Sequence, residues 1–244
     1  MLMLNIQYFS NLKKQVTYKR NKLINLTKNF FLLILIISCS KNVSTQSLNS
    51  EEIISLSQSK IVNSKSFSFD LKHKNGSTEL PGDYNISRAN GDIQKPNNIM
   101  IDAEIISNNF LIKLSYLSLN DRYWITNPIS FDWMETPEED NPFRNIDPIN
   151  ILGDIYAEIE SIKLLEHKNK EYLLSANINS NNLTSLVGDI IIPNKNVDIE
   201  LFINDQGFVR KILIFGEVQP NDLSNTLREI SFSNWNVEIE WDEP

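Results

Sequence analysis

Two hydrophobic periods divide this chain. Between Glu51 and Asn63 the apolar side chains Ile53, Ile54 and Ile61 recur at helical spacing. Asn49 or Ser50 can cap that stretch, and Glu51 and Glu52 fall in the first turn, where the helix dipole favours acids. The pattern predicts a helix over 51–63. From Ser66 the period drops to two: Ser66-Phe67-Ser68-Phe69-Asp70-Leu71-Lys72 alternates polar and apolar, as a strand with one wet and one buried face does. Similar alternation predicts strands at Tyr84–Ile93, Ile99–Ile106, Phe110–Tyr116 and Arg122–Thr126. Asn75-Gly76, Pro81-Gly82-Asp83 and Asn108-Asn109 supply the turn chemistry between them.

A loop rich in acids and prolines is predicted over Ile129–Asp147, and Asp147-Pro148 opens a helix through Leu152 to Gly153. Strands resume at Ile155–His167 and Glu171–Ile178, followed by a helix over Asn181–Ile191. Val197–Ile203 and Phe208–Phe215 flank Asp205-Gln206-Gly207 as a hairpin. Pro220–Leu227 reads as a short helical turn, and Glu229–Ser233 and Val237–Trp241 as closing strands. About ten strands with few helices is not the βα alternation of a parallel sheet. The expected fold is α+β: a strongly curved antiparallel half-barrel sheet of about ten strands, with helices packed on its concave face.

Before this domain lies a different kind of sequence. Phe30–Ile37 is a run of eight apolar residues behind a basic lead of Lys13, Lys14, Lys19, Arg20, Lys22 and Lys28. About 20 apolar residues are needed to cross a bilayer as a helix, so the run is too short for a permanent span. A basic region, a short apolar run and a small residue form an export signal. Ile36-Ile37-Ser38-Cys39 resembles the bacterial lipobox, whose cysteine takes a diacylglyceryl thioether and becomes the mature N-terminus. Residues 1–38 are therefore expected to be a lipoprotein signal peptide, with Cys39 the lipidated residue. Residues 39–49, small and polar, read as a flexible tether, and 50–244 as the folded domain.

Charge then narrows the partners. Residues 1–38 carry six basic and no acidic side chains, leaving 17 basic against 31 acidic in the remainder, a net of −14. An acidic body argues against nucleic acid, where Lys and Arg neutralising phosphate supply most of the affinity. Cys39 is the sole cysteine, so no disulfide framework holds the domain. With only His73 and His167, most zinc and Ser-His-Asp schemes lack parts. Both histidines flank predicted turns and are expected to be exposed.

In order along the chain, several segments resemble the LppX/LprAFG family of lipoproteins. They are the helix followed by Ser66-Phe67, then Ala89-Asn90-Gly91-Asp92, Asp121-Arg122-Tyr123-Trp124-Ile125, and Asn127-Pro128 with Trp133. Asp147-Pro148-Ile149-Asn150-Ile151-Leu152, the hairpin from Val197 to Ile212, and Ile230-Ser231-Phe232-Ser233-Asn234-Trp235 complete the series. The resemblance implies a half-barrel similar to the outer-membrane lipoprotein carriers, enclosing an apolar cavity for the acyl chains of lipids or glycolipids. It implies transport of lipid outward across the cell envelope, with an envelope transporter as a possible partner. No catalytic motif belongs to that family, so no catalytic residue, cofactor or metal is expected.

The one-sided strands agree, since hydrocarbon leaving water is stabilised by about 25 cal/mol per Å². Candidate cavity walls are Phe67, Phe69 and Leu71; Phe110, Ile112 and Leu114; Ile199 and Leu201; Ile212 and Ile214. Each could equally pack against a helix. Other chemistry is weaker. Glu135–Asp140 lacks the ligand spacing of a calcium loop. Glu158 and Glu160, or Asp198 and Glu200, invite a glycosidase reading but alternate with apolar residues, as an outer wet face would. The expected function is a lipid-binding lipoprotein fastened to the outer face of the cytoplasmic membrane or the periplasmic side of the outer membrane. The alternative is a sensor or assembly module binding a protein or lipoprotein on the same scaffold.

Overall fold

The computed structural model describes residues 48–244; the leader, the lipobox and Cys39 lie outside the described residues. Leu48 already packs against the core. Asn49 caps α1 (Ser50–Asn63) reciprocally: its side-chain oxygen accepts the Glu52 N–H at 2.9 Å, and the Glu52 carboxylate accepts the Asn49 N–H at 2.8 Å. This capping box satisfies two helix-end groups that otherwise lack partners. α1 buries Ile53, Ile54, Ser57 and Ile61, and ends where the Ser64 hydroxyl donates to the Ile61 carbonyl.

Twelve antiparallel strands make one sheet. They are β1 (Ser66–Lys74), β2 (Thr78–Leu80), β3 (Tyr84–Gln94), β4 (Asn98–Ser107), β5 (Phe110–Leu119), β6 (Arg122–Thr126), β7 (Trp133–Glu135), β8 (Glu160–Lys168), β9 (Glu171–Asn179), β10 (Asn196–Asn204), β11 (Val209–Phe215) and β12 (Leu227–Ser233). Their order is β7-β6-β5-β4-β3-β1-β12-β11-β10-β9-β8, with the short β2 paired to β3. The sheet is therefore two meanders, β1–β7 and β8–β12, joined where the first strand pairs with the last; Phe69 faces Phe232 and Leu71 faces Ile230 across that seam. It does not close, and its edges are β7 and β8. α1, α2 (Ile151–Ala157), α3 (Thr184–Val187) and residues 141–150 share one apolar core with the sheet's inner face. The result is the expected α+β half-barrel.

Gly91 sits at the middle of β3, opposite Phe69 on β1. A Cβ there would lie 2.9 Å from the Phe69 ring and 2.1 Å from the Met100 carbonyl, so the close approach of ring and backbone requires glycine.

Six segments differ from the sequence reading, among them the three-residue strands β2 and β7, of which the second lies inside the stretch read as a loop. Ile155 belongs to α2 rather than to a strand, because Ile151, Leu152, Ile155 and Tyr156 bury one helical stripe; the strand begins at Glu160. The helix expected over 181–191 stops after one turn at Gly188, whose φ of 71° ends it. Residues 220–227 form turns without a helix. Val237–Trp241 pairs with no strand and crosses the convex face instead, where Trp241 joins Leu117, Leu119, Trp124, Met100 and Trp133 in a second, small apolar cluster. His73 is half-buried rather than exposed: its ring nitrogens meet the Ser87 carbonyl at 3.0 Å and the Thr78 hydroxyl at 2.9 Å. Burial depresses its pKa to about 4, so the ring is neutral in the folded state.

Candidate functional site

Where β1 joins β3 and β12, the inner face of the sheet carries a contiguous patch of apolar side chains. Phe67, Phe69 and Leu71 of β1 stand beside Ile86 and Ala89 of β3, Ile101 of β4, and Ile230 and Phe232 of β12. Over them lie Phe143, Ile146, Pro148, Ile151 and Leu186 from the cover. The space between the layers is about 30 Å³. That holds roughly one water, against the ~300–1,000 Å³ of cavities that enclose a small ligand. The open hollow expected from the sequence is thus a closed apolar seam in this structure.

The seam abuts a larger cleft. Ile101, Phe143, Ile146 and Pro148 form walls of both, and on their far side about 280 Å³ opens among Tyr116, Tyr123, Asn97, Ser118, Asp121, Glu138 and Arg144. Burial raises the Tyr116 phenol to about 12, so it stays protonated and able to donate. Burial, then the nearby Glu138 carboxylate, also raises Tyr123. Seam and cleft together form an apolar floor with a polar entrance that carries Asp121, Glu138 and Arg144, separated by one segment of chain.

That segment is held unlike the rest of the cover. Backbone hydrogen bonds of residues 137–146 close within the segment: Asp140 to Pro137, Asn141 to Glu138, Arg144 to Asn141 and Ile146 to Phe143. The Asn141 carboxamide accepts the Phe143 N–H at 2.9 Å, and Arg144 donates to the Glu139 carbonyl at 2.6 Å. Only at Asp147, whose N–H donates to the Ser185 carbonyl, does the backbone bond to another element. Up to that point apolar contacts do the seating, chiefly Phe143, which is buried against the Tyr116 ring at 5.8 Å between centroids. Moving it would break no ladder hydrogen bond. Local opening is cheapest where such bonds are few.

The ten wall candidates divide clearly. Phe67, Phe69 and Leu71 line the seam. Leu114, Ile199, Leu201, Ile212 and Ile214 are buried but pack solidly in the core. Ile112 is only half-buried. Phe110 is a correction: it lies beyond the cover at the β4–β5 turn and is exposed, because period-two spacing marks a face but not whether anything covers it. Ile230 and Phe232 were missed although they alternate as cleanly as the residues chosen. Leu186 stood at helical spacing with Leu183 and Val187 without being read as a wall residue, and Phe143 carried no periodic signal at all.

Also missed was Arg228, which shares the inner face with Ile230 and Phe232 and is fully buried. It donates to both Asp222 carboxylate oxygens at 2.8 and 2.9 Å, to Gln219 at 3.1 Å and to the Ser77 carbonyl at 3.0 Å. Gln219 in turn binds the Glu79 backbone and the Val187 carbonyl. The network closes one end of the layered core and is internally satisfied, so it reads as structure rather than a ligand site. Glu139 and Asp140 are exposed, Glu138 is exposed at the rim of the cleft, Glu135 pairs with Arg122, and no metal-ligating cluster of three occurs among the described residues. Larger troughs, such as the one of about 580 Å³ near Lys168, Glu171 and Arg210, lie on the convex face and have charged walls.

No protein-family profile and no curated sequence matches this chain. Solved structures do. LprF from Mycobacterium bovis superposes with a TM-score of 0.63 at 15% identity, over 80% of this chain and 96% of that one. The lipoprotein LppX from Mycobacterium tuberculosis gives 0.52 at 12% identity, over 78% and 96%. The fold is therefore the LppX/LprF-like half-barrel, as the ordered segments had implied.

Proposed function

We propose that this chain is an envelope lipoprotein, anchored through a diacylglyceryl group on Cys39, that takes lipid acyl chains between the sheet and its cover and carries lipid or glycolipid. The observation that carries the reading is the seam: thirteen lining residues, all apolar, on a fold shared with LprF and the lipoprotein LppX. The state described is the closed one. Lifting residues 137–146 would merge seam and cleft, giving hydrocarbon walls for a chain and a polar entrance for a headgroup. Residues 1–38 serve as the signal peptide and 39–49 as the tether, whose last two residues, Leu48 and Asn49, already pack on and cap the domain. Phe67, Phe69 and Leu71 are the wall residues retained from the ten.

Native mass spectrometry of a Ser40–Pro244 form tests the carrier reading. Co-purifying lipid, or uptake of added glycolipid, supports it; a clean apo mass that takes up nothing overturns it. Metabolic labelling with an alkyne fatty acid tests the anchor, with label expected on the wild type and lost in Cys39→Ser. The tight closure of the seam favours a second reading, a sensor or assembly module for a protein partner. One stoichiometric protein partner in a pull-down, without lipid, would select it.

A further inference from the structure

We propose that the adjacent β4–β5 and β6–β7 turns form a bilayer-docking edge that inserts Phe110, Leu111, Ile129 and Phe131 into the headgroup layer. These four are 73%, 59%, 88% and 64% exposed. Scattered surface hydrophobes need no explanation, but a cluster of large ones does. The topology makes them a cluster. β6 runs antiparallel to β5, and its last residue, Thr126, accepts the Ser115 N–H through its hydroxyl at 2.9 Å. The β6–β7 turn therefore leaves the same end of the sheet as the β4–β5 turn, one strand away.

Both turns hold their side chains outward rigidly. Asn108 and Asn109 take positive φ, 49° and 67°, and deliver Phe110 at the mouth of the hairpin. In the second turn the Asn127 carboxamide accepts the Ile129 and Ser130 N–H groups at 2.8 and 3.1 Å. The Asn127 carbonyl accepts the Phe131 N–H at 2.9 Å. Phe131 sits at φ 63°, a region bulky residues rarely adopt. An aromatic fixed in a costly conformation and pointed into water contributes nothing to the core. Its use lies outside the chain.

A bilayer fits better than a protein groove. The tips project, and the residues flanking the hydrophobes (Asn108, Asn109, Asn127, Ser130) are polar and uncharged apart from Asp132 beside Phe131. With a net charge of −14 over 39–244, attraction to anionic lipid is absent, so contact must come from apolar insertion. Reach permits it, and here the inference rests on the anchored reading, although Leu48 leads into α1, whose Leu56 and Lys60 lie against Gly207 at the other end of the sheet. Nine peptide steps separate Cys39 from Leu48, at most about 30 Å in any conformation. A domain so leashed meets the surface at high effective concentration, which lets weak insertion suffice.

The test uses residues 40–244, which lack Cys39, held on nickel-chelating lipid through an N-terminal hexahistidine tag in place of the acyl anchor. Single cysteines are introduced by Phe110→Cys, Ile129→Cys, Phe131→Cys and, at the opposite end of the sheet, Gln206→Cys. Each is labelled with an environment-sensitive fluorophore and mixed with phosphatidylcholine–phosphatidylglycerol vesicles that contain the chelating lipid. The three tip positions should brighten several-fold, shift to the blue, resist added salt and be quenched by nitroxide lipids, while position 206 stays wet. Tip signals no different from position 206 would overturn the proposal. So would tip burial without vesicles that grows with protein concentration, which would assign the edge to a second copy. Ile129→Cys keeps the test usable if replacing either phenylalanine disturbs the turn. Lipid uptake by the same variants, read by native mass spectrometry, separates the two claims: uptake without docking breaks only this inference, and docking without uptake breaks only the carrier reading.

Discussion

The two meanders of the sheet carry the same alternation and use it differently. In β9–β11 the inner residues Leu174, Ile199, Leu201, Ile203, Ile212 and Ile214 are essentially inaccessible. In β1, β3 and β4 the inner residues meet instead a seam and a cleft beneath an irregular segment whose backbone bonds mainly to itself. Close packing makes the first half costly to disturb. The second half is sealed by Phe143, Ile146 and Pro148, three side chains that can leave together. Period-two spacing says which face is buried. What lies on that face decides whether it is a core or a container.

The largest effect should come where the halves are tied. Arg228→Met leaves Asp222 without its guanidinium and frees Ser77 and Gln219, which reach across to the β1–β2 turn and β2. A loss of about 3–5 kcal/mol is expected in urea unfolding, the cost of an uncompensated buried charge. Next, Leu201→Ala in the filled half should cost about 3 kcal/mol and leave lipid uptake unchanged. Phe143→Ala should cost less, about 2 kcal/mol, because its segment can relax into the gap, and should increase the uptake of a fluorescent fatty acid. Equal uptake by Leu201→Ala and Phe143→Ala would erase the distinction between the halves.

How much of this was readable in the sequence follows from the same contrast. Asn49 and Glu52 announced the first helix, and the longer strands from Ser66 to Phe215 stood out, the three-residue β2 and β7 excepted, because local capping and alternation record local geometry. Phe110 fitted the alternation and still faces water, since its cover ends before it. Ile155 and Tyr156 were read with the strand that follows, although with Ile151 and Leu152 they make a helical stripe. Val237, Ile239 and Trp241 alternate like a strand, yet Trp241 is held by a 2.7 Å bond to Gln94 and by the convex cluster. Phe143 was invisible for a physical reason: a plug in an irregular segment is defined by what it meets across space, and no spacing encodes that.

The smallest effect at neutral pH concerns His73. Its folded pKa, about 4, lies below the ordinary 6.5, so the unfolded chain binds the extra proton between those values. This contribution to stability is complete above pH 6.5 and is lost as pH falls toward 4. His73→Gln should flatten the decline in unfolding free energy between pH 6.5 and 5, before most carboxylates titrate. An unchanged slope would mean that the half-buried ring accepts a proton without opening β1 and β2.

The central claim, that the β1–β3–β4 half opens while the β9–β11 half does not, is tested most directly by a crystal structure of the domain soaked with a fatty acid brominated along its chain. Anomalous density between Ile101 and the displaced Phe143 segment, with β9–β11 unmoved, is the result expected. A structure at saturating ligand with the seam still closed and no bromine inside it would contradict the account.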